Sequence, residues 1–173
     1  MRNKKIVVSS IATIFLILLY AVIFSFSEQN GEASGGLSRM ISEKCVAFLN
    51  FLSGKNWTET MMKGLAEYFE NPIRKLAHFV EYAVMGVLLF GIWYPWVGNS
   101  CEWKKGFRLV LKIGIPWVFV SAALDEIHQL FVPGRYGCFA DVLLDTAGGC
   151  FGMLCSIWMA KYFVHKKEKR SRC

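Results

Sequence analysis

Residues 124–146 read LDEIHQLFVPGRYGCFADVLLDT, a stretch dense in ionisable side chains that lies between two long apolar segments. Together with the adjoining part of this stretch, each apolar segment is long enough to cross a bilayer as a helix, which takes about 20 residues. Ionisable groups at membrane depth are energetically expensive, and by default they mark a functional site. The stretch therefore predicts two transmembrane helices, over about 107–131 and 139–164, joined by a turn at 132–137.

Two further apolar segments, at about 6–26 and 72–94, extend this pattern toward the N-terminus. The chain is 54% hydrophobic with a mean hydropathy of +0.37, which favours a polytopic membrane protein over a soluble one. The first segment is longer than the apolar core of an ordinary signal peptide, so we interpret it as a retained helix. We predict an all-α membrane protein with four transmembrane helices in a single domain over residues 1–173.

The segment between the first two predicted membrane helices is polar enough to leave the membrane. Apolar residues nevertheless recur in it at helical spacing, first at Leu37, Ile41, Cys45, Phe48 and Leu52, and then at Met61, Leu65 and Phe69. These patterns predict short helices that either lie in the membrane interface or pack against the bundle. Asn71 and Pro72 resemble an N-cap followed by proline in the first turn, so we expect the second membrane helix to begin there.

Positive charges predict the orientation of the helices, because lysine and arginine concentrate on the cytoplasmic side. Four membrane helices place both termini on one side, together with the loop between the second and third helices. That side has a net charge of +11, against −4 for the rest of the chain, within a total of +7. We therefore expect a multi-pass cell-membrane protein with both termini in the cytoplasm. The same distribution explains the basic composition without a nucleic-acid partner.

This topology places the polar side chains of three helices in the outer half of the membrane. At a rise of about 1.5 Å per residue, Glu81, Asp125 and Asp145 lie roughly 9–13 Å into their helices. Side chains three or four residues apart share a helix face, and acidic faces should converge on a common cavity rather than face lipid. The candidate ligand-binding residues are Arg74, Lys75, His78, Glu81, Asp125, Glu126, His128, Gln129, Arg135, Asp141 and Asp145.

Cysteine and glycine spacing add two smaller predictions. None of the six cysteines forms a CxxC pair, so we expect neither a disulfide framework nor a cysteine-based zinc site. Gly148 and Gly152 form a GxxxG pair, which lets another helix approach closely. That helix could belong to the same chain or to a second copy in a homo-oligomer.

Two of these polar segments carry a family resemblance. Residues 74–86 read RKLAHFVEYAVMG and residues 125–149 read DEIHQLFVPGRYGCFADVLLDTAGG; together they strongly resemble the VanZ-like family of bacterial membrane proteins. The FSFSEQ at 24–29 also looks like that family's short polar motif. The resemblance extends over about 6–163, and it implies a connection with resistance to the glycopeptide teicoplanin. The motif positions are Arg74, His78, Glu81, Asp125, Glu126, His128, Gln129, Arg135, Asp141 and Asp145.

The first functional hypothesis is a binding or remodelling protein of the outer leaflet. Arg74, Lys75 and Arg135 would hold a phosphate or carboxylate by charge-assisted hydrogen bonds. The partner would be an anionic membrane lipid, a cell-wall precursor or a lipoglycopeptide. Arg135 could instead have a purely structural role, because an arginine in a turn can bind the carbonyl oxygens at a helix end.

The second hypothesis is an intramembrane hydrolase or transferase that depends on a divalent metal ion and acts on a lipid-linked phosphate. His78, Glu81, Asp125 and His128 supply nitrogen and oxygen ligands for such an ion, although their spacing matches no established metal motif. The third is a structural protein whose polar network determines helix packing. The sequence leaves open whether the chain is an enzyme.

Overall fold

The computed structural model of the chain describes residues 2–29, 31–97 and 103–171. These residues form five α-helices and no strand, which confirms the predicted all-α class. The helices are α1 (Arg2–Ser27), α2 (Gly31–Ser53), α3 (Glu59–Val97), α4 (Trp103–Gln129) and α5 (Phe139–Ser171). The predicted ranges 6–26, 107–131 and 139–164 agree in place with α1, α4 and α5, although α1 and α4 begin four residues earlier.

Four helices in the described ranges, α1, α3, α4 and α5, are long and apolar enough to cross a membrane. Their outer surfaces expose large apolar side chains, including Ile17 at 63%, Leu76 at 61% and Trp158 at 69%. Apolar surface of this extent is unusual on a soluble monomer, and in lipid it is favourable. The predicted multi-pass membrane architecture is therefore confirmed.

Helix α3 is longer than the sequence predicted. It begins at Glu59 and continues through Pro72 without a break, so the predicted helix start at Asn71 and Pro72 is wrong. The residues of the second apolar pattern form the beginning of α3 rather than a separate helix. Proline removes one backbone hydrogen bond and crowds the preceding turn, and local preferences of this size are overridden where tertiary packing supports the helix.

That support comes from α2, which runs antiparallel along the beginning of α3. The Asn50 amide contacts the Met62 sulfur at 3.7 Å, and the Arg39 guanidinium lies 3.4 Å from the Glu67 carboxylate. Ser38, Ser42 and Val46 form the buried face of α2. The apolar residues predicted to form one side of this helix are largely exposed, including Leu37, Ile41, Phe48 and Leu52. Leu37 and Ile41 nevertheless border a small cavity shared with α3.

Helix α3 lies at the centre of the bundle and contacts each of the other four helices. Its closest neighbour is α5, and glycines permit the approach. A Cβ on Gly152 would lie 1.9 Å from the Ala83 carbonyl oxygen, and a Cβ on Gly148 would lie 2.4 Å from the Phe79 carbonyl oxygen. The predicted GxxxG pair therefore packs within the chain. This contact brings the polar segments of α3 and α5 together.

The connection between α4 and α5 is a tight turn, as predicted for 132–137. Gly134 has a φ of 75°, in the left-handed region that glycine adopts without the steric cost of a Cβ. The turn returns closely to α4, because a Cβ on Gly137 would lie 2.6 Å from the Glu126 carbonyl oxygen. The turn that carries Arg135 therefore lies against the last turns of α4.

Candidate functional site

Eight of the eleven predicted ligand-binding residues surround one cavity of about 120 Å³, which we call the polar cavity. They are Arg74, Lys75 and His78 of α3, Glu126 and Gln129 of α4, Arg135 of the turn, and Asp141 and Asp145 of α5. Each helix contributes residues three or four positions apart, which share a face. The cavity therefore brings basic residues of α3 and of the turn close to acidic residues of α4 and α5.

Asp145 is the most deeply buried charge-bearing residue of the polar cavity, with 0% exposure. Neither of its carboxyl oxygens has a hydrogen-bond partner among the described residues, and the same is true of His78 Nδ1. His78 Nδ1 lies 4.0 Å from Asp145 Oδ2, which is too far for a direct hydrogen bond. Unsatisfied buried polar groups are rare in folded proteins, so this pair is a candidate position for a bound ligand or water.

The basic residues of the polar cavity are held in different ways. Lys75 Nζ contacts Asp141 Oδ1 in a half-exposed ion pair. Arg74 donates a hydrogen bond of 3.2 Å to the Asn71 side-chain oxygen, and within the described ranges it forms no ion pair. Arg74 is therefore the cation of the cavity with the most capacity for an added anion.

Arg135 ties the turn to the end of α1. Its Nε donates to the Gln29 carbonyl oxygen at 2.9 Å, and its Nη2 donates to the Phe26 carbonyl oxygen at 2.5 Å. Burial, together with the nearby positive charge of Arg74, lowers the pKa of Arg135 below its ordinary value, although guanidinium stays protonated in proteins. Two of its donors thus bind carbonyl oxygens at the end of α1, which is the structural role considered above as an alternative to ligand binding.

Glu126 caps the start of α5. Its carboxylate accepts a 2.7 Å hydrogen bond from the backbone N–H of Cys138, immediately before the helix begins at Phe139. A negative charge at a helix N-terminus is stabilised by the unpaired N–H groups there. Glu126 therefore positions the first turn of α5, including Asp141.

The other three predicted residues line separate spaces. Glu81 borders a cavity of about 110 Å³ that shares His78, Arg74 and Arg135 with the polar cavity. Asp125 and His128 border a larger space between α1, α3 and α4, of about 700 Å³. Eight of the predicted residues thus surround one cavity, whereas Asp125 and His128 border the neighbouring space; that all eleven bind one ligand stays a prediction.

The larger space, which we call the apolar groove, is lined mainly by apolar and aromatic side chains. They include Ile23 and Phe24 of α1, Tyr82 of α3, and Ile113, Trp117 and Val120 of α4. The Gln129 amide donates to Asp125 at 3.0 Å. This hydrogen bond joins a residue of the polar cavity to a residue of the apolar groove, so the two spaces meet at the last turn of α4.

Sequence reasoning missed two polar residues of α1 that contact α4. Ser27 Oγ lies 3.3 Å from His128 Nδ1, and Tyr20 Oη lies 2.5 Å from Ser121 Oγ. Trp117 Nε1 also donates to Tyr20 at 2.9 Å. The FSFSEQ motif, which contains Ser27, was the available signal.

The metal hypothesis lacks an assembled set of ligands. His78 and Glu81 line the same small cavity, whereas Asp125 and His128 line the apolar groove. In the part of the chain that the structure describes, no three His, Cys, Asp or Glu side chains are grouped to hold a metal ion. Four of the six cysteines lie in that part, and all four are free; Cys101 and Cys173 lie outside it.

The fold and the site together define a multi-pass helical membrane protein with a charged cavity beside an apolar groove. A family model described as VanZ/LLP1 matches residues 12–160, nearly the whole chain. The chain therefore belongs to the VanZ/LLP1 family, as its motifs indicated. Comparisons with curated proteins and with solved structures gave no significant match.

Proposed function

We propose that the polar cavity binds the anionic group of an amphiphilic molecule of the bacterial envelope, and that the apolar groove holds its hydrocarbon chain. Molecules of this chemistry are an anionic lipid, a lipid-linked cell-wall precursor and a lipoglycopeptide such as teicoplanin. The proposal rests on one observation: Arg74 lines the cavity and has no acidic partner among the described side chains.

The arrangement of charges supports an anion near α3. Arg74 supplies the available guanidinium, which forms strong paired hydrogen bonds with phosphate and carboxylate oxygens. Lys75 already contacts Asp141, and both residues are partly exposed, so an incoming anion can share its ammonium. Arg135 contributes its charge while its bonds to α1 hold the turn in place.

The apolar groove supports an amphiphile over a small soluble anion. Its volume of about 700 Å³ is within the range of ligand pockets in proteins, which is about 300–1,000 Å³. Tyr82 and Ile23 are both buried, and their side chains form part of the wall of this groove. A chain in the groove and a head group in the polar cavity would meet at the Asp125–Gln129 hydrogen bond.

Binding of a short-chain phosphatidylglycerol to detergent-purified protein tests the proposal. We expect Arg74→Gln to weaken binding by at least about tenfold, because a charge-assisted hydrogen bond contributes about 1.5–3 kcal/mol. Arg108→Gln is the matched control, since Arg108 is exposed near the start of α4 and far along that helix from the site. Equal binding by wild type and Arg74→Gln would contradict the proposal.

The orientation is part of the proposal: both termini are cytoplasmic and the polar cavity opens to the outside. Tyr136 is 89% exposed and borders the cavity. With Cys45, Cys101, Cys138 and Cys173 replaced by serine, Tyr136→Cys should react in intact cells with a maleimide that cannot cross membranes. Arg108→Cys should react only after permeabilisation, and the reverse pattern would overturn the orientation.

A role in glycopeptide resistance is a consequence of the same site. Expression of the wild-type chain should lower susceptibility to an acylated glycopeptide more than to one without an acyl chain. The Arg74→Gln variant should lose this protection at equal expression. Protection that persists in Arg74→Gln would separate resistance from the polar cavity.

A further inference from the structure

The polar cavity contains a buried acceptor that binding of an anion does not satisfy. Asp145 has 0% exposure, and its oxygens have no hydrogen-bond partner among the described residues. A buried carboxyl without a donor carries a large desolvation cost. The anionic group proposed to bind Arg74 has no N–H to offer Asp145, so a donor elsewhere in the same ligand could satisfy this carboxyl.

The acidic and basic residues of the cavity can be divided by the partners they already have. Lys75 contacts Asp141, and Glu126 accepts from the Cys138 backbone N–H. Arg135 donates to carbonyl oxygens at the end of α1. What remains in the described part of the cavity is one cation, Arg74, and one carboxyl, Asp145, each without an oppositely charged group within hydrogen-bonding distance.

The space beside Asp145 has a geometry suited to a nitrogen donor. Asp145 Oδ2 and His78 Nδ1 are 4.0 Å apart, and both residues line the cavity. A nitrogen about 2.9 Å from each acceptor would see them at an angle of roughly 90°, which a primary ammonium can accommodate with two of its three N–H groups. His78 accepts in this arrangement when its proton is on Nε2.

We propose that the ligand of the polar cavity is zwitterionic: an aminoalkyl phosphate head group of the ethanolamine-phosphate kind, carried by a membrane lipid. Its phosphate lies at Arg74, and its primary ammonium lies between Asp145 and His78. The assignment rests on the function proposed above and specifies the ligand of the same site. A carboxylate favours an ammonium over a neutral hydroxyl because charge-assisted hydrogen bonds are about twice as strong.

The test compares head groups on the wild-type protein in detergent. Short-chain phosphatidylethanolamine should bind at least about tenfold more tightly than phosphatidylglycerol of the same chain length. Phosphatidylcholine, whose quaternary ammonium has no N–H, should bind as weakly as phosphatidylglycerol. Equal affinity for the three lipids would overturn the inference without the need for any variant.

The Asp145→Asn variant adds a second measurement. It should lose the preference for phosphatidylethanolamine over phosphatidylglycerol, because the amide of asparagine carries no charge to pair with the ammonium. Glu43→Asn, an exposed carboxylate of α2, is the control and should keep the preference. An unchanged preference in Asp145→Asn would overturn the assignment of this residue.

Two further outcomes separate this inference from the function on which it rests. Arg74-dependent binding without a head-group preference removes the zwitterionic ligand and leaves the proposed function in place. If no phospholipid binds in an Arg74-dependent way, both fail. Soluble O-phosphoethanolamine should bind far more weakly than the lipid, and equal affinity would contradict a lipid as the source of the head group.

Discussion

The polar cavity and the apolar groove share helix α4 but stabilise their polar groups differently. In the polar cavity, Lys75 and Glu126 have partners on other elements, and Asp145 has none. In the apolar groove, Asp125 is bonded within its own helix by Gln129. One turn of α4 therefore separates a cavity lined by charged side chains from a groove lined mainly by apolar ones.

The α3–α5 contact determines whether the polar cavity exists, so disrupting it should have the largest effect. Gly152→Ala would place a Cβ 1.9 Å from the Ala83 carbonyl oxygen, and overpacking of this kind costs about 1–3 kcal/mol or more. We expect a clear fall in thermal stability in detergent, with loss of lipid binding. At Gly64 an added Cβ meets nothing among the described residues within 4 Å, so Gly64→Ala should not destabilise the protein.

Arg135 connects the polar cavity to α1, and its replacement should have the next largest effect. Arg135→Lys loses the planar fork that reaches one carbonyl oxygen in the last turn of α1 and one just after that helix. We expect a loss of about 1–2 kcal/mol in the free energy of unfolding, together with weaker ligand binding because the turn is no longer held. Thermal unfolding and lipid titration measure the two effects. Unchanged stability would contradict the structural role.

His128 allows the groove to be changed without changing the cavity. The His128 ring lies 4.8 Å from the Phe24 ring, centroid to centroid, and its Nδ1 contacts Ser27 Oγ. His128→Phe keeps the ring contact and loses the hydrogen bond, so we expect a loss of about 1 kcal/mol. The affinity of soluble phosphate compounds for the polar cavity should not change. A large fall in that affinity would show that the two sites are not separable.

Charges outside both sites should matter least. Arg39 pairs with Glu43 and Glu67, and all three side chains are about half-exposed or more. Exposed ion pairs contribute about 0–1 kcal/mol, so Arg39→Gln should change stability by less than about 0.5 kcal/mol. Lipid binding should be unaffected. A larger effect would indicate that α2 takes part in ligand binding.

The order of the membrane helices could be predicted from the sequence because the length of an apolar segment is a local signal. The start of α3 could not, since Pro72 suggests a helix boundary in isolation and only the contacts with α2 reveal a continuous helix. The same limit applies to the faces of α2, where small residues such as Ser42 are buried and Phe48 is exposed.

The residues of the candidate site could be selected from the sequence, but their separation between the polar cavity and the apolar groove could not be predicted. Ionisable residues on membrane helices were sufficient to indicate Arg74 and Asp145. Spacing alone placed Asp125, His128 and Gln129 on one face, whereas the structure turns Gln129 toward the polar cavity and the other two toward the groove. Which charges already have partners depends on contacts between distant segments, as for Arg135 and the end of α1.

The most direct test of the central claim is the lipid content of the protein itself. Native mass spectrometry of gently purified protein should show one retained phospholipid on the wild type and on Arg108→Gln. The adduct should be absent or strongly reduced in Arg74→Gln. An adduct of the same abundance on all three proteins, or on none, would contradict a ligand site at the polar cavity.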